Sequence, residues 1–177
     1  MLFRSRTARW LGFAQRQIRG LGAGAVPAAT VEAQVEAVEL SLTAASAAFF
    51  RSDLDGSGRL AHAALEGAER LADPGLVGRA YLQLEMVASE AGDPERSRFA
   101  EAALAALERA QDDRAIADLR TNLGVSAHDA GDYDGAMAHY AVVLDLADRR
   151  NDAIGRAIAH NNLAETLTTL EIGRAHV

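Results

Sequence analysis

Residues 115–150, AIADLRTNLGVSAHDAGDYDGAMAHYAVVLDLADRR, contain two runs of apolar residues at helical spacing, separated by Gly131-Asp132. The first run predicts a helix over 115–130 and the second a helix over 133–150. The apolar positions are Ile116, Leu119, Leu123 and Ala127 in the first run and Ala136, Tyr140, Val143, Leu144 and Ala147 in the second. Glycine tolerates the left-handed conformation that often ends a helix, so Gly131 predicts a tight turn. The stretch therefore predicts an antiparallel helix pair, with Leu123 and Tyr140 packed between its helices.

This helix pair belongs to a repeat of 39 to 40 residues. A shift of 39 places Arg59–Asp73 over Arg98–Asp112 with eight identities in fifteen positions, and a shift of 40 places Asn122-Leu123 over Asn162-Leu163. Because one pair cannot bury both apolar faces, neighbouring pairs must stack. The pattern predicts helices over 31–51, 57–73, 75–91, 94–111, 115–130, 133–150 and 153–170.

The composition favours an all-α protein and excludes several functions. Alanine and leucine are strong helix formers and dominate the apolar 49 % of the chain, while proline occurs only three times. The absence of cysteine excludes disulfides and thiolate sites, and it fits a cytoplasmic location. A net charge of −7 argues against a general nucleic-acid binder. No apolar run is long enough to predict a membrane-spanning helix.

A known family carries the same motif. Asn122-Leu123-Gly124, then Gly131 to Ala136, then Tyr140 and Leu144, resembles the tetratricopeptide repeat (TPR), whose usual length is about 34 residues. The longer repeat here is similar to the variety in kinesin light chains and bacterial signalling proteins. It is also similar to the C-terminal repeat regions of bacterial regulators in which an ATPase or nucleotide-cyclase domain precedes the repeats. The resemblance implies an α-solenoid of stacked antiparallel helix pairs in a right-handed superhelix, spanning residues 31–170.

The resemblance also implies a function. We expect a protein–protein interaction scaffold that binds a peptide or a partner domain on its concave face, with no catalysis and no cofactor. The alternative is the regulatory or sensor arm of a larger bacterial ATPase, nucleotide cyclase or transcriptional regulator. In the family, the first helix of each repeat lines the concave face, where side-chain amides can hold a peptide backbone. The implied partner-binding residues are Gln83, Asn122, Asn162, Arg79, Asp118, Ser126, Asn161 and Glu165.

Other candidate sites have simpler explanations. The string from Asp53 to Gly58 imitates the start of an EF-hand loop, but its twelfth position is Ala64 where calcium requires Glu. We interpret it as a helix–helix turn with Ser57 as the N-cap, and acidic pairs such as Glu85/Glu90 as solvated helix surface. His62, His128, His139 and His160 lack metal-ligand spacing. With no nucleophile motif present, we expect neither a metal site nor a self-contained all-α enzyme.

The two ends are expected to be foreign. Met1–Ser5 and Ile172–Val177 resemble translations of opposite strands of one DNA-sequencing adapter, and Glu171 fits the same adapter. We therefore interpret 1–5 and 171–177 as non-native, 6–30 as an N-terminal helix and link, and 31–170 as the repeat array. The arginine-rich N-terminal helix is expected to dock on further repeats. The last helix, Ala153–Leu170, lacks a partner, so we expect an exposed apolar strip there through which the fragment self-associates.

Overall fold

A computed structural model describes residues 30–175, with side chains described as far as Ile172. The described part contains seven α-helices and no strand, which confirms the all-α expectation. The helices are α1 (Val31–Phe49), α2 (Leu54–Leu71), α3 (Pro74–Ala91), α4 (Arg96–Ala110), α5 (Asp113–Asp129), α6 (Tyr133–Arg149) and α7 (Ala153–Ala175). Contacts divide the chain into a unit ending at Ala33 and a unit from Gln34 to Val177. The predictions for 1–5 and for the helix and link up to residue 29 lie outside the described residues.

One turn, repeated six times, joins the helices. Each turn places a residue with positive φ directly before an aspartate. The aspartates recur every 19 or 20 residues: Asp53, Asp73, Asp93, Asp112, Asp132 and Asp152. In all six turns the aspartate N–H donates to the carbonyl oxygen five residues earlier, at 2.8 to 3.2 Å. This is the Schellman geometry, which satisfies the last carbonyls of the outgoing helix.

Five of these aspartates, all except Asp93, also cap the helix that follows, whereas α4 begins at Arg96 without a side-chain cap. The Asp53 carboxylate accepts from the Gly56 N–H at 2.8 Å, and the Asp132 carboxylate accepts from the Gly135 N–H at 2.9 Å. A Cβ on either glycine would collide with the capping carboxylate as it lies, which favours glycine at these two positions. The N-cap assigned to Ser57 was wrong: α2 begins at Leu54, and Ser57 is buried inside it. A capping aspartate satisfies the free amides of the first turn, so the helix starts earlier.

Consecutive helices pack against each other through small residues. Ala64, Ala68 and Ala80 are fully buried in a cluster with Val38 and Leu76, which joins α1, α2 and α3. The helices α3 and α4 also approach closely, because a Cβ on Gly78 would lie 2.6 Å from the Leu107 side chain. Alanine and glycine therefore set the short distances between neighbouring helices.

The register of α5 differs from the prediction. Leu123 is only partly buried and packs beside Ala100, Ala103 and Leu119, so it faces α4 as well as its own pair. Tyr140 is buried as predicted, but the residue beneath its ring is Gly124. Because glycine has no side chain, it does not contribute to a pattern of apolar residues. That pattern therefore predicted the contact between α5 and α6 at Leu123, one residue before Gly124.

Polar contacts align the odd-numbered helices with one another. Ser46 in α1 donates to Gln83 in α3 at 2.8 Å, and the hydroxyls of Ser89 in α3 and Ser126 in α5 lie 3.4 Å apart. His128 in α5 lies 3.0 Å from the Thr166 hydroxyl in α7. Each link spans 37 or 38 residues of sequence. This constant offset means that α1, α3, α5 and α7 run in the same direction beside each other.

Candidate binding groove

A groove of about 660 Å³ crosses the aligned odd-numbered helices. Its side chains come from α1, α3, α5 and α7, and from Phe50 directly after α1. They are Glu39, Leu42, Thr43, Ser46, Phe50, Arg79, Leu82, Gln83, Met86, Ala115, Asp118, Thr121, Asn122 and Ile158. One helix of each pair therefore forms this surface, while none of its lining residues belongs to α2, α4 or α6.

The groove contains four of the eight residues implied as partner-binding. Arg79, Gln83, Asp118 and Asn122 line it, on α3 and α5. The other four lie elsewhere: Ser126 pairs with Ser89 near the end of α5, and Asn161, Asn162 and Glu165 lie further along α7. Asn161 and Glu165 are exposed and Asn162 is half-buried. The structure thus brings together Arg79, Gln83, Asp118 and Asn122, but not Ser126 or the predicted residues of α7.

Gln83 forms part of the groove floor. Its side chain is only 5 % exposed. Its Oε1 accepts from the Ser46 hydroxyl at 2.8 Å, and its Nε2 donates to the Ser57 hydroxyl oxygen at 3.1 Å. Both ends of the amide are therefore engaged within the chain. Gln83 ties α1, α2 and α3 together, and it leaves ligand hydrogen bonds to its neighbours.

The side-chain amide of Asn122, unlike that of Gln83, is not engaged within the described part of the chain. It is half-buried in the wall of the groove, and its side-chain amide makes no hydrogen bond to any described residue. A side-chain amide offers two donor hydrogens and an acceptor oxygen. These can pair with the C=O acceptors and N–H donors that alternate along a peptide backbone. Asn122 is therefore the polar group of the groove that is best placed to bind a ligand.

The charged side chains of the groove differ in how far they are compensated. Arg79 Nε lies 3.9 Å from the Asp112 carboxylate and donates to the Gly75 carbonyl oxygen at 3.4 Å. Asp118 reaches solvent, yet partial burial in the groove wall raises the pKa of its carboxyl group. The nearby Arg114 and Arg150 lower that pKa but do not cancel the effect of burial. Burial therefore disfavours the charged form of Asp118 more than the two guanidinium groups favour it.

A buried ion pair between α3 and α4 was not predicted from the sequence. Glu85 had been interpreted as solvated surface, but its side chain is fully buried and accepts from Arg96 Nε at 2.9 Å. Its Oε2 has no partner among the described residues. Glu85 lies 39 residues before Gly124, which is the residue of α5 that faces the next helix, α6. The repeat shift was therefore the signal that could have identified Glu85 as an interhelical residue.

The histidines contribute to helix packing. The Thr166 hydroxyl donates to the Asn162 carbonyl oxygen at 2.9 Å, so its own oxygen accepts from His128 Nδ1. Burial lowers the pKa of His139, and the Arg120 guanidinium, 3.5 Å away, lowers it further. Within residues 30–172, no three His, Asp or Glu side chains are grouped as a metal site would require.

Comparisons with known proteins leave the chain without an assigned family. No family model matches the sequence, and neither do any curated protein or solved structure. Among the described helices, none is both long and apolar enough to cross a membrane.

Proposed function

We propose that this chain is a protein–protein interaction scaffold of tetratricopeptide-like architecture, which binds a peptide segment in the groove of its odd-numbered helices. The six equivalent turns and the constant offset between α1, α3, α5 and α7 support an α-solenoid. On this proposal its helix pairs stack as a right-handed superhelix. In such an array each helix pair buries its apolar surface on its neighbours, and the inner helices share one continuous surface.

The composition of the groove is the observation that carries the proposal. All its lining residues come from one helix of each pair or from Phe50, the residue that follows α1. Packed helices lie about 8–10 Å apart, so four of them provide a surface on the order of 30 Å long. A fully extended peptide of about nine residues covers that length. The groove is therefore suited to a linear segment of a partner.

The chemistry of the groove suits binding without catalysis. Leu42, Leu82, Met86 and Ile158 provide apolar contact along its length, and the free amide of Asn122 lies among them. A few fixed polar groups on an apolar surface orient a ligand and give specificity. On this proposal the scaffold works by shape, with no cofactor, and the partner retains its covalent structure.

Selection from a displayed library of random nine-residue peptides tests the proposal. The full chain serves as bait, and affinities for the selected peptides are measured by fluorescence anisotropy. We expect Asn122→Ala and Met86→Ala to weaken binding about fivefold or more, as central interface residues do. Glu101→Ala changes an exposed residue of α4 and serves as the matched control. Circular dichroism establishes that each variant stays folded.

Two results would contradict the proposal. One is a selection that yields no peptide with measurable affinity. The other is a set of peptides whose affinities respond to Glu101→Ala but not to the two groove variants, which would place the binding surface on the even-numbered helices.

A further inference from the structure

The α1 edge of the groove carries uncompensated negative charge. Between Val31 and Phe49 the helix contains acidic residues and no basic residue. Glu36 and Glu39 lie one turn apart on its exposed side, and neither forms an ion pair with a described residue. Arg79, the basic residue of the groove lining, already lies close to Asp112. A cation entering beside Glu39 would therefore meet an unopposed carboxylate.

Across the groove, α5 adds a second carboxylate, that of Asp118, which forms no ion pair with a described residue although the Arg114 and Arg150 guanidinium groups lie near it. Arg150 is held by the Asp152 carboxylate at 3.0 Å and by the Asp113 carbonyl oxygen at 3.3 Å, so its charge is shared with other acceptors. The groove lining thus contains two carboxylates, those of Glu39 and Asp118, and one guanidinium group, that of Arg79.

The later turns of α1 and α3 give the groove an apolar side. Phe50 follows the last turn of α1 and is 81 % exposed, with its ring edge-on to Phe49 at 5.9 Å between centroids. Met86 lies in the later part of α3 and also lines the groove. Exposed aromatic residues frequently anchor interfaces, and methionine adapts its shape to different partners. Because the odd-numbered helices run in the same direction, Phe50 and Met86 lie closer to the C-terminal ends of their helices than Glu39 and Asp118 do.

We infer that the occupant of the groove is a peptide segment of a partner protein that carries basic side chains and a large apolar side chain. This inference rests on the proposed function and specifies its ligand. Basic side chains of the segment lie beside Glu39 and Asp118. An aromatic or aliphatic side chain of the segment packs on Phe50 and Met86.

The sequences of the selected peptides test the inference. We expect them to be enriched in arginine or lysine together with an aromatic or aliphatic residue, and their affinity to fall as salt screens the charges. For the tightest peptide, Glu39→Gln, Asp118→Asn and Phe50→Ser should each reduce affinity about fivefold. The matched control Glu66→Gln, an exposed position on α2, should change affinity by less than about twofold.

The possible failures are distinguishable. Peptides that need Asn122 but carry no basic residue would overturn the inference and leave the groove as the binding surface. Basic peptides whose affinity falls equally in Glu66→Gln and Glu39→Gln would also overturn it. Their binding would then depend only on the net charge of −7 and not on the groove. Self-association of the chain that Phe50→Ser abolishes, measured by sedimentation, would replace the basic segment by a second copy. Peptides insensitive to every groove variant would remove the proposed function itself.

Discussion

The ring of Tyr140 lies directly over Gly124, so closely that a Cβ on Gly124 would come within 2.5 Å of the ring atom Cε1. Tyr140 is only 2 % exposed, and this burial raises the pKa of its hydroxyl, with further contributions from the Glu165 and Asp129 carboxylates. The missing side chain at Gly124 therefore sets the distance between α5 and α6.

Gly124→Ala should destabilise the fold. Alanine favours the helical backbone by about 0.5–1 kcal/mol, but the clash with a buried ring costs about 1–3 kcal/mol. We expect the free energy of unfolding, measured by urea denaturation, to fall by about 1–2 kcal/mol. Gly58→Ala is the matched control, because its Cβ would meet only Val87 at 3.8 Å, and that variant should be slightly more stable. In a Tyr140→Ala background the cost of Gly124→Ala should disappear; its persistence would refute the contact.

Ala72→Gly should stabilise the chain. Ala72 has φ of 53°, in the left-handed region, where a Cβ is strained by about 1–2 kcal/mol. Glycine relieves the strain but adds freedom to the unfolded chain, so we expect a net gain of about 1 kcal/mol in chemical denaturation. Ala63→Gly, at an exposed position inside α2, should instead lose about 1 kcal/mol. Equal losses in both variants would show that the turn at Ala72 is not left-handed.

Asp132→Ala should weaken the start of α6. The Asp132 carboxylate accepts from the Gly135 N–H at 2.9 Å, and loss of such a cap costs about 1 kcal/mol. Asp132→Asn retains a capping oxygen, so its stability should stay within about 0.5 kcal/mol of the parent. Thermal denaturation of the three proteins compares them. A loss of the same size in both variants would assign the effect to charge and not to capping.

Asp118→Asn should raise stability while lowering the affinity for a basic peptide. Burial raises the pKa of Asp118 in the folded state against Arg114 and Arg150, with Asp112 and Asp152 acting in the same direction as burial. A carboxyl group with a raised pKa destabilises the fold once pH rises through that pKa. The Tm advantage of the Asn variant should therefore be largest near neutral pH and vanish below about pH 3, where both states are protonated. An advantage that does not depend on pH would contradict this explanation.

The helices and their order could be predicted from the sequence because the physical signals are local. Apolar spacing reveals helices such as 133–150, and Gly92 and Gly131 mark two of the six turns. The other turns use residues such as Gln111 in the same left-handed conformation. Because residues with side chains also adopt this conformation here, glycine alone does not identify the turns. The regular spacing of the aspartates was the stronger signal, and it also identifies the N-caps of five helices.

The misassigned positions have two causes. Ser57 was assigned as an N-cap because the cap at Asp53, three residues before Gly56, was missed. Leu123 and Glu85 were assigned from the pattern of their own helix, whereas their surroundings are decided by the facing helix. Glu85 is buried because Arg96 reaches it, and Leu123 turns toward α4 because Gly124 accepts the Tyr140 ring. In the candidate site, the resemblance indicated Arg79, Asp118 and Asn122. The contributions of Phe50 and Glu39 depend on how α1 lies beside α3, which no local pattern encodes.

Amide chemical shifts, measured by NMR on addition of a selected peptide to the full chain, map the binding surface directly. We expect shift changes concentrated at groove residues of α1, α3 and α5, including Thr43, Met86 and Asn122. The exposed surfaces of α2, α4 and α6, such as those at Glu66 and Glu101, should change little. Changes concentrated on the even-numbered helices, with none at Asn122, would contradict the claim that the groove binds the partner.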